Sequence, residues 1–124
     1  MKFETVLIIG FGGFIGAVSR FYLSGLINNN FQIFSISVGT LFVNLLGSFL
    51  IGLIFGFIQT YQMPLHLKTF LITGFLGALT TFSTFAYETF ILLENGDFDK
   101  ALLNILLNIF GTLLMVYLGI KISN

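Results

Sequence analysis

The feature that most constrains this chain is a set of four long apolar segments separated by short polar turns. A membrane-spanning helix needs roughly 20 largely apolar residues, and the polar turns divide the 124 residues into four pieces of that kind. Only 8% of the residues are charged, whereas about one-quarter of an average soluble protein is Asp, Glu, Lys or Arg. The sequence therefore predicts an all-helical, polytopic membrane protein with one transmembrane domain. The predicted helices span about 3–27, 33–58, 67–93 and 100–122.

The composition and the motifs exclude several classes of function. The chain has no cysteine, so disulfides, thiolate chemistry and cysteine metal sites are excluded. Its net charge is zero and no basic tract suggests nucleic acid. The sequence holds no Ser/His/Asp arrangement, no HExxH motif and no phosphate-binding loop. The lone histidine, His66, falls in the predicted second loop, where we expect a solvated side chain. We therefore expect a protein that is not an enzyme.

The third segment contains the stretch GFLGALTTFSTF at residues 74–85. It places glycines, hydroxyl residues and phenylalanines near the bilayer centre, where a membrane helix is expected to be regular and uniformly apolar. Hydroxyl groups can bond backbone groups that a helix break releases, and such a break is tolerated only against protein or a water-filled path. Close helix packing through small and hydroxyl residues is the alternative. The residues alone leave both interpretations open.

The second and fourth segments carry polar residues at helical spacing. Asn44 lies on a stripe of the second segment that recurs every four residues, and its amide needs partners at the bilayer centre. An ion or water column can supply them, and so can hydrogen bonds between helices. Asn104, Asn108 and Thr112 form one polar ladder on the fourth segment. Because asparagines against lipid are costly, we expect this ladder to face protein or water.

Glycines at the same spacing predict close helix packing. Gly12 and Gly16 in the first segment form a small-xxx-small pair, and Gly52 and Gly56 form another in the second. Such pairs let two helix backbones approach closely.

Two charged side chains lie inside the predicted helices. Arg20 either snorkels to the headgroups or places a cation at the mouth of an aqueous path for anions. Glu88 is a functional candidate by default, and it can equally pair with a cation or cap polar groups.

The basic residues give only a weak indication of orientation. Under the positive-inside rule, three basic residues oppose two: Lys2, Lys68 and Lys121 against Lys100 and Arg20. A chain with so little bias can insert in both directions and assemble as an antiparallel dimer. Four helices are also few for enclosing a path, which favours an oligomer.

The neutral polar residues suit permeation better than proton-coupled exchange, which usually requires a titrating residue within the membrane. Phe82 and Phe85 share a helix face, and the positive edge of an aromatic ring can contact a small anion without holding it tightly. Ordinary core or lipid contact is the alternative for these two rings.

Three blocks of the sequence resemble the signature blocks of the Fluc/CrcB fluoride channels. They are GGFIGAVSRFY at 12–22, GTLFVNLLGSF at 39–49, and GFLGALTTFSTF at 74–85 followed by Glu88. The resemblance covers the chain in length, helix count and block order, and its third block is highly specific. It implies a passive, fluoride-selective channel in a bacterial plasma membrane that exports fluoride from the cytoplasm.

The resemblance also implies an assembly and a set of site residues. The family forms dual-topology antiparallel homodimers with two pores, and its third helix breaks near the midplane. The backbone carbonyls of Gly77 and Thr80 fall where both subunits hold a structural sodium ion that is not transported. Where family members often carry hydroxyl residues in the fourth helix, this chain has two asparagines. The implied pore and fluoride-contacting residues are Asn44, Phe82, Phe85, Ser83, Thr84, Asn104, Asn108, Thr112 and Arg20.

The main alternative is a small, dual-topology, proton-coupled multidrug transporter. That class depends on a membrane-embedded glutamate in its first helix, where this chain offers only Glu4, at the helix edge. Glu88 can stand in for it. A third class is an accessory subunit without transport of its own, which the polar ladders disfavour.

Overall fold

The computed structural model describes residues 1–31 and 36–124, and within them the secondary structure is helical almost throughout. Four helical stretches are long and apolar enough to cross a membrane, and the third runs from Leu65 to Glu94. The predicted all-helical class with four spanning helices is confirmed. We label the helices α1 (Phe3–Asn30), α2 (Val38–Thr60), α3 (residues 65–79), α4 (Phe82–Glu94) and α5 (Phe98–Ser123).

Some boundaries differ from those expected from the sequence. Helix α1 continues to Asn30, so the asparagines at 28–30 are helical and do not form the predicted turn. The Asn30 side chain donates to the carbonyl of Leu26 at 2.8 Å. This bond supplies a partner for a carbonyl near the end of the helix, where backbone donors run out. The predicted start of the second helix, 33–35, lies outside the described residues, and α2 begins at Val38. His66 lies in the first turn of α3 and not in a loop, and it is exposed.

The third span is irregular in two places. Residues Thr69–Leu76 form wider π-helical turns, and the helix ends at Leu79. The next two residues are extended: Thr80 has φ −87° and ψ 157°, and Thr81 has φ −147° and ψ 122°. The hydroxyl oxygen of Thr81 accepts a hydrogen bond from the Thr84 amide at 3.1 Å, an N-cap that begins α4.

Glycines bring the helices together in two pairs. Helix α1 packs mainly against α3, and α2 packs against α5. A Cβ atom added at Gly12 would lie 2.6 Å from the carbonyl oxygen of Phe70 and 3.1 Å from Cα of Gly74. A Cβ atom added at Gly52 would lie 3.1 Å from Cα of Gly119. The packing role predicted for Gly12 and Gly52 is therefore confirmed.

Polar side chains occupy much of the interior of this helical unit. Asn104 is only 1% exposed and is as deeply buried as Leu79 and Val43. Every buried polar side chain needs a hydrogen-bonding partner, so these residues constrain how the helices fit together. The buried polar residues are Thr40, Asn44, Thr81, Thr89, Asn104 and Asn108.

Candidate functional site

The extended backbone between α3 and α4 is bonded by a side chain from α2. The Oδ1 atom of Asn44 accepts a hydrogen bond from the Thr81 amide at 2.8 Å, and its Nδ2 atom donates to the Thr81 carbonyl at 3.0 Å. One side chain thus bonds both polar groups of a residue that has left the helix. Of the two kinds of partner considered for Asn44, the structure provides the hydrogen bonds between helices.

The same interruption removes the helical donors of two carbonyl groups. In a continuous α-helix the amide of Thr81 would donate to the carbonyl of Gly77, and the amide of Thr84 would donate to that of Thr80. Here the Thr81 amide donates to Asn44, and the Thr84 amide donates to the Thr81 hydroxyl. The carbonyls of Gly77 and Thr80 are left available to another partner. Backbone carbonyl oxygens are ligands that hard cations accept.

The asparagines of α5 join Asn44 through a chain of hydrogen bonds. Asn44 donates from Nδ2 to Oδ1 of Asn108 at 3.0 Å, and Asn108 donates to Oδ1 of Asn104 at 3.1 Å. Asn104 in turn donates to the hydroxyl of Thr89 at 2.9 Å. The Thr112 hydroxyl donates to the carbonyl of Asn108 at 2.6 Å. The polar ladder therefore faces protein along its two asparagines.

A cavity of about 420 Å³ lies beside the interruption. The rings of Phe82 and Phe85 meet edge to face beside it, with centroids 5.4 Å apart and planes inclined by 65°. Phe85 is 6% exposed, whereas Phe82 is 75% exposed on the single chain. Among residues 1–31 and 36–124, the lining contains no charged side chain. Its polar and aromatic members are Asn44, Ser48, Thr80, Thr81, Phe82, Phe85, Asn108 and Thr112.

A smaller cavity of about 230 Å³ carries a basic group. Arg20 contributes to its lining together with the hydroxyl residues Ser24, Thr40 and Thr84. Thr81 borders both cavities. The extended backbone therefore lies next to the larger cavity and to the smaller one, whose lining includes the positively charged side chain of Arg20.

Glu88 points toward the start of α2. Its Oε1 atom accepts a hydrogen bond from the Thr40 hydroxyl at 2.8 Å. Its Oε2 atom is buried and has no hydrogen-bond partner among residues 1–31 and 36–124. Within the same residues no salt bridge joins Glu88 to a basic side chain. Of the uses considered for this carboxylate, the structure provides a bond to a hydroxyl group and not a paired cation.

Comparison with known proteins identifies the family. Residues 7–120 match the family described as CrcB-like protein, Camphor Resistance (CrcB). The chain belongs to the CrcB family. This membership confirms the resemblance seen in the three sequence blocks. As a CrcB-family protein with four apolar spans, the chain is a multi-pass protein of the cell membrane.

Curated relatives of this CrcB-family chain carry a functional name. A protein named "Fluoride-specific ion channel FluC" from Campylobacter jejuni is 52% identical over 116 residues, which cover 94% of each chain. The protein of that name from Methanocaldococcus jannaschii is 50% identical over 116 residues, 94% of this chain and 91% of the relative. The one from Methanococcus maripaludis is 53% identical over 116 residues, 94% of this chain and 93% of the relative.

Most of the site residues that the CrcB resemblance implies line one of the two cavities. The larger cavity takes five of these side chains, and the smaller takes Arg20 and Thr84. In the described part of the chain, Ser83 and Asn104 line neither of these cavities. The five side chains of the larger cavity are those of Asn44, Phe82, Phe85, Asn108 and Thr112.

Sequence reasoning did not select three residues that this site uses. Ser48 lines the larger cavity, Thr40 binds Glu88, and Thr81 pairs with Asn44. Thr40 and Ser48 stand four residues on either side of Asn44, so the stripe of the second segment held the signal. Thr81 belongs to the hydroxyl-rich stretch at 74–85, but the pairing of its backbone with Asn44 had no signal in the sequence, because Asn44 lies on a helix that is distant in the chain.

Proposed function

We propose that this chain is a passive, fluoride-selective channel that lowers cytoplasmic fluoride by letting the ion leave the cell. The observation that carries the proposal is the cavity of about 420 Å³ beside the helix interruption, which is lined by aromatic rings and hydroxyl groups and, among the described residues, by no charged side chain. Relatives at about half identity and nearly full coverage carry the name of a fluoride channel. A lining without fixed charge suits a pathway that an ion must both enter and leave.

The side chains beside the interruption replace the water that surrounds fluoride in solution. The edges of Phe82 and Phe85 carry partial positive charge, and the hydroxyl group of Ser48, which lines the larger cavity, can turn toward an anion. Both Nδ2 hydrogens of Asn44 are already donated to protein acceptors, so Asn44 borders the path while it holds the backbone. Asn108 donates both of its amide hydrogens to Asn104.

Arg20 and Thr84 form the approach to this path. An arginine at a cavity mouth raises the local concentration of anions, and the neighbouring hydroxyl groups offer donors. Since Thr81 borders both cavities, the proposed path runs from the smaller cavity to the larger one past this residue.

The carbonyls of Gly77 and Thr80 fit a structural sodium ion. Both have lost their helical donors, and sodium is a hard cation that takes oxygen ligands. A cation held there supplies a fixed positive charge, which makes the surroundings favourable to anions. It is not itself transported.

The working channel is an antiparallel, dual-topology homodimer whose third helix is broken near the bilayer midplane. Thr80 and Thr81 fall in the middle of the 30-residue span Leu65–Glu94, which supports that depth. Gly77 and the ring of Phe82 are exposed on the single chain. A second copy on this side would enclose the cavity and add its own carbonyls from residues 77 and 80.

The alternative function is proton-coupled multidrug transport through Glu88. It is supported by the buried Oε2 atom of this carboxylate, since an intramembrane carboxylate is a functional candidate. An exchange assay driven by a pH gradient tests it. Substrate uptake that depends on the gradient and is lost in Glu88→Gln would favour the transporter.

Fluoride efflux from liposomes tests the channel directly. Purified protein is reconstituted, the liposomes are loaded with fluoride or with chloride, and release is followed with an ion-selective electrode. We expect fast fluoride loss and negligible chloride loss. A stable dimer that releases no fluoride would contradict the proposal.

A further inference from the structure

We propose that Thr89, Asn104 and Asn108 are positioning residues, which orient the amide of Asn44 and so maintain the extended backbone at Thr80 and Thr81. We call the chain from Asn44 through Asn108 and Asn104 to Thr89 the amide relay. The inference rests on the proposed channel function. It gives the asparagines of α5 a task other than contact with fluoride.

The direction of the amide relay is determined at its Thr89 end. The Thr89 hydroxyl donates its hydrogen to the carbonyl of Phe85 at 2.8 Å, so its oxygen can only accept from Asn104. Asn104 must then turn Nδ2 toward Thr89 and Oδ1 toward Asn108. Asn108 donates to that oxygen and to the backbone carbonyl of Asn104, which leaves its own Oδ1 to accept from Asn44.

The opposite end of the relay requires the same direction. The backbone amide of Thr81 is a donor only, so the atom that faces it must be Oδ1 of Asn44. The Nδ2 group of Asn44 then donates one hydrogen to the Thr81 carbonyl and the other to Asn108. Three groups that cannot reverse therefore agree on the direction of these amides: the Phe85 carbonyl, the Thr81 amide, and the Asn104 backbone carbonyl, which also accepts from Asn108.

Burial makes this direction costly to reverse. All four side chains of the relay are buried: those of Asn44, Asn104, Asn108 and Thr89. A buried donor or acceptor that is left without a partner destabilises the protein by its full desolvation penalty. Turning one amide over would set donor against donor on one side and acceptor against acceptor on the other. Hydrogen bonds in such a chain also polarise and strengthen one another.

The relay ties both ends of the first turn of α4 to other helices. Asn44 from α2 holds Thr81 at the N-cap, and Asn104 from α5 reaches the Phe85 carbonyl through Thr89. The two phenylalanines of the larger cavity lie on this turn. A residue that lines neither cavity, Asn104, is thereby linked to the geometry of the site.

Thr89 provides a matched pair of variants for the test. Thr89→Val keeps the shape and removes the hydroxyl, whereas Thr89→Ser keeps the hydroxyl. Each full-length protein is purified, reconstituted at equal protein density, and assayed for fluoride and chloride efflux. We expect Thr89→Val to lower fluoride efflux by about tenfold, as the loss of a hydrogen-bond partner that orients a metal ligand does in metalloproteins, or to raise chloride efflux relative to fluoride. Thr89→Ser keeps the hydroxyl that the relay uses, so its fluoride efflux should equal that of the original chain.

A purely structural role for the hydroxyl gives a different result. It would lower the yield or thermal stability of Thr89→Val and leave fluoride efflux per reconstituted protein and the fluoride-to-chloride ratio unchanged. That outcome would overturn the relay while the channel proposal stands. If the original chain itself releases no fluoride, the channel proposal fails and the relay fails with it.

A double variant covers the case in which Thr89→Val does not fold. Thr89→Val with Asn104→Leu replaces both partners by apolar groups of similar size, which is often tolerated. Asn108 then keeps only the backbone carbonyl of residue 104 as an acceptor and loses the side-chain oxygen that the relay supplies, so we expect fluoride efflux to remain about tenfold low. Efflux and selectivity equal to those of the original chain in the folded double variant would overturn the proposal.

The side-chain amide NMR signals of Asn44 provide a second test. They should shift in either variant, and unchanged signals would also overturn the proposal.

Discussion

Asn44 binds the Thr81 residue at both of its backbone polar groups, through a hydrogen bond of 2.8 Å to the amide and one of 3.0 Å from Nδ2 to the carbonyl. A spanning helix can be interrupted only where such partners exist, because the bilayer core offers no water. The irregular backbone of the third span is therefore a property of the contact between α2 and the segment joining α3 to α4.

We expect Asn44→Leu to destabilise the protein strongly. It leaves two buried backbone groups without partners, each costing about 1–3 kcal/mol. The loss of helical signal on heating measures the effect in detergent. Ser48→Ala, one turn along the same face, is the control and should change the midpoint little. A midpoint for Asn44→Leu equal to that of the control would contradict the assignment.

Replacing Phe82 or Phe85 with isoleucine should reduce fluoride efflux by roughly three- to tenfold while dimers still form. Aromatic pairs gain about 0.5–1.5 kcal/mol from the charge distribution of their rings; we expect an edge contact with fluoride to be of the same order, and an aliphatic side chain lacks it. Fluoride release from liposomes measures the rate, and gel filtration checks assembly. Phe110→Ile serves as the control, because Phe110 is exposed and lies outside both cavities. Equal rates in all variants would refute the pore role.

Gly12→Ala should weaken the packing of α1 on α3. The added Cβ would meet backbone atoms of Phe70 and Gly74, and overpacking of this kind costs about 1–3 kcal/mol. Gly10→Ala is the matched control, since nothing lies within 4 Å of a Cβ atom there. Thermal aggregation followed by gel filtration should separate the two variants. If both aggregate at the same temperature, the close approach is not important for stability.

Neutralising Arg20 should slow fluoride entry most at low salt. The arginine concentrates anions at the smaller cavity, and salt screens that field over about 10 Å at 0.1 M. Arg20→Gln should therefore lower efflux at low ionic strength and approach the original rate at high ionic strength. Lys121→Gln, whose cation lies 5.8 Å from the Tyr117 ring, is the control. A deficit of equal size at every salt concentration would argue against steering.

Preparing the protein without sodium should reduce both dimer content and fluoride efflux. The carbonyls of Gly77 and Thr80 lack helical donors and would remain without a partner. The protein is purified and reconstituted with a bulky organic cation in place of sodium, and sodium is then restored. Recovery of efflux on restoration is the expected result. Full activity and a full dimer after purification without sodium would exclude a structural role for the ion.

Glu88 and the end of α1 illustrate what a single sequence leaves undecided. From the sequence, Glu88 could be a functional carboxylate, pair with a cation or cap polar groups. Only the position of α2 showed that its Oε1 atom accepts a hydrogen bond from the Thr40 hydroxyl. The composition of residues 28–30 predicts a turn, whereas the structure shows these three asparagines in the last turn of α1. Asn28 accepts a hydrogen bond from the amide of Gly39 at 2.8 Å, so a partner in another helix uses a side chain that local rules assign to a turn.

The amino-acid sequence alone determined the number of spans, the helical class and the unusual stretch at 74–85, because length and hydropathy are local properties of a membrane helix. It also identified Asn44, Asn104 and Asn108 as residues that need partners. Which partners they have was decided by the tertiary structure alone. Asn44, Thr89 and the two asparagines Asn104 and Asn108 come from three helices, α2, α4 and α5. The direction of a hydrogen bond depends on which donor and acceptor the packed helices bring together.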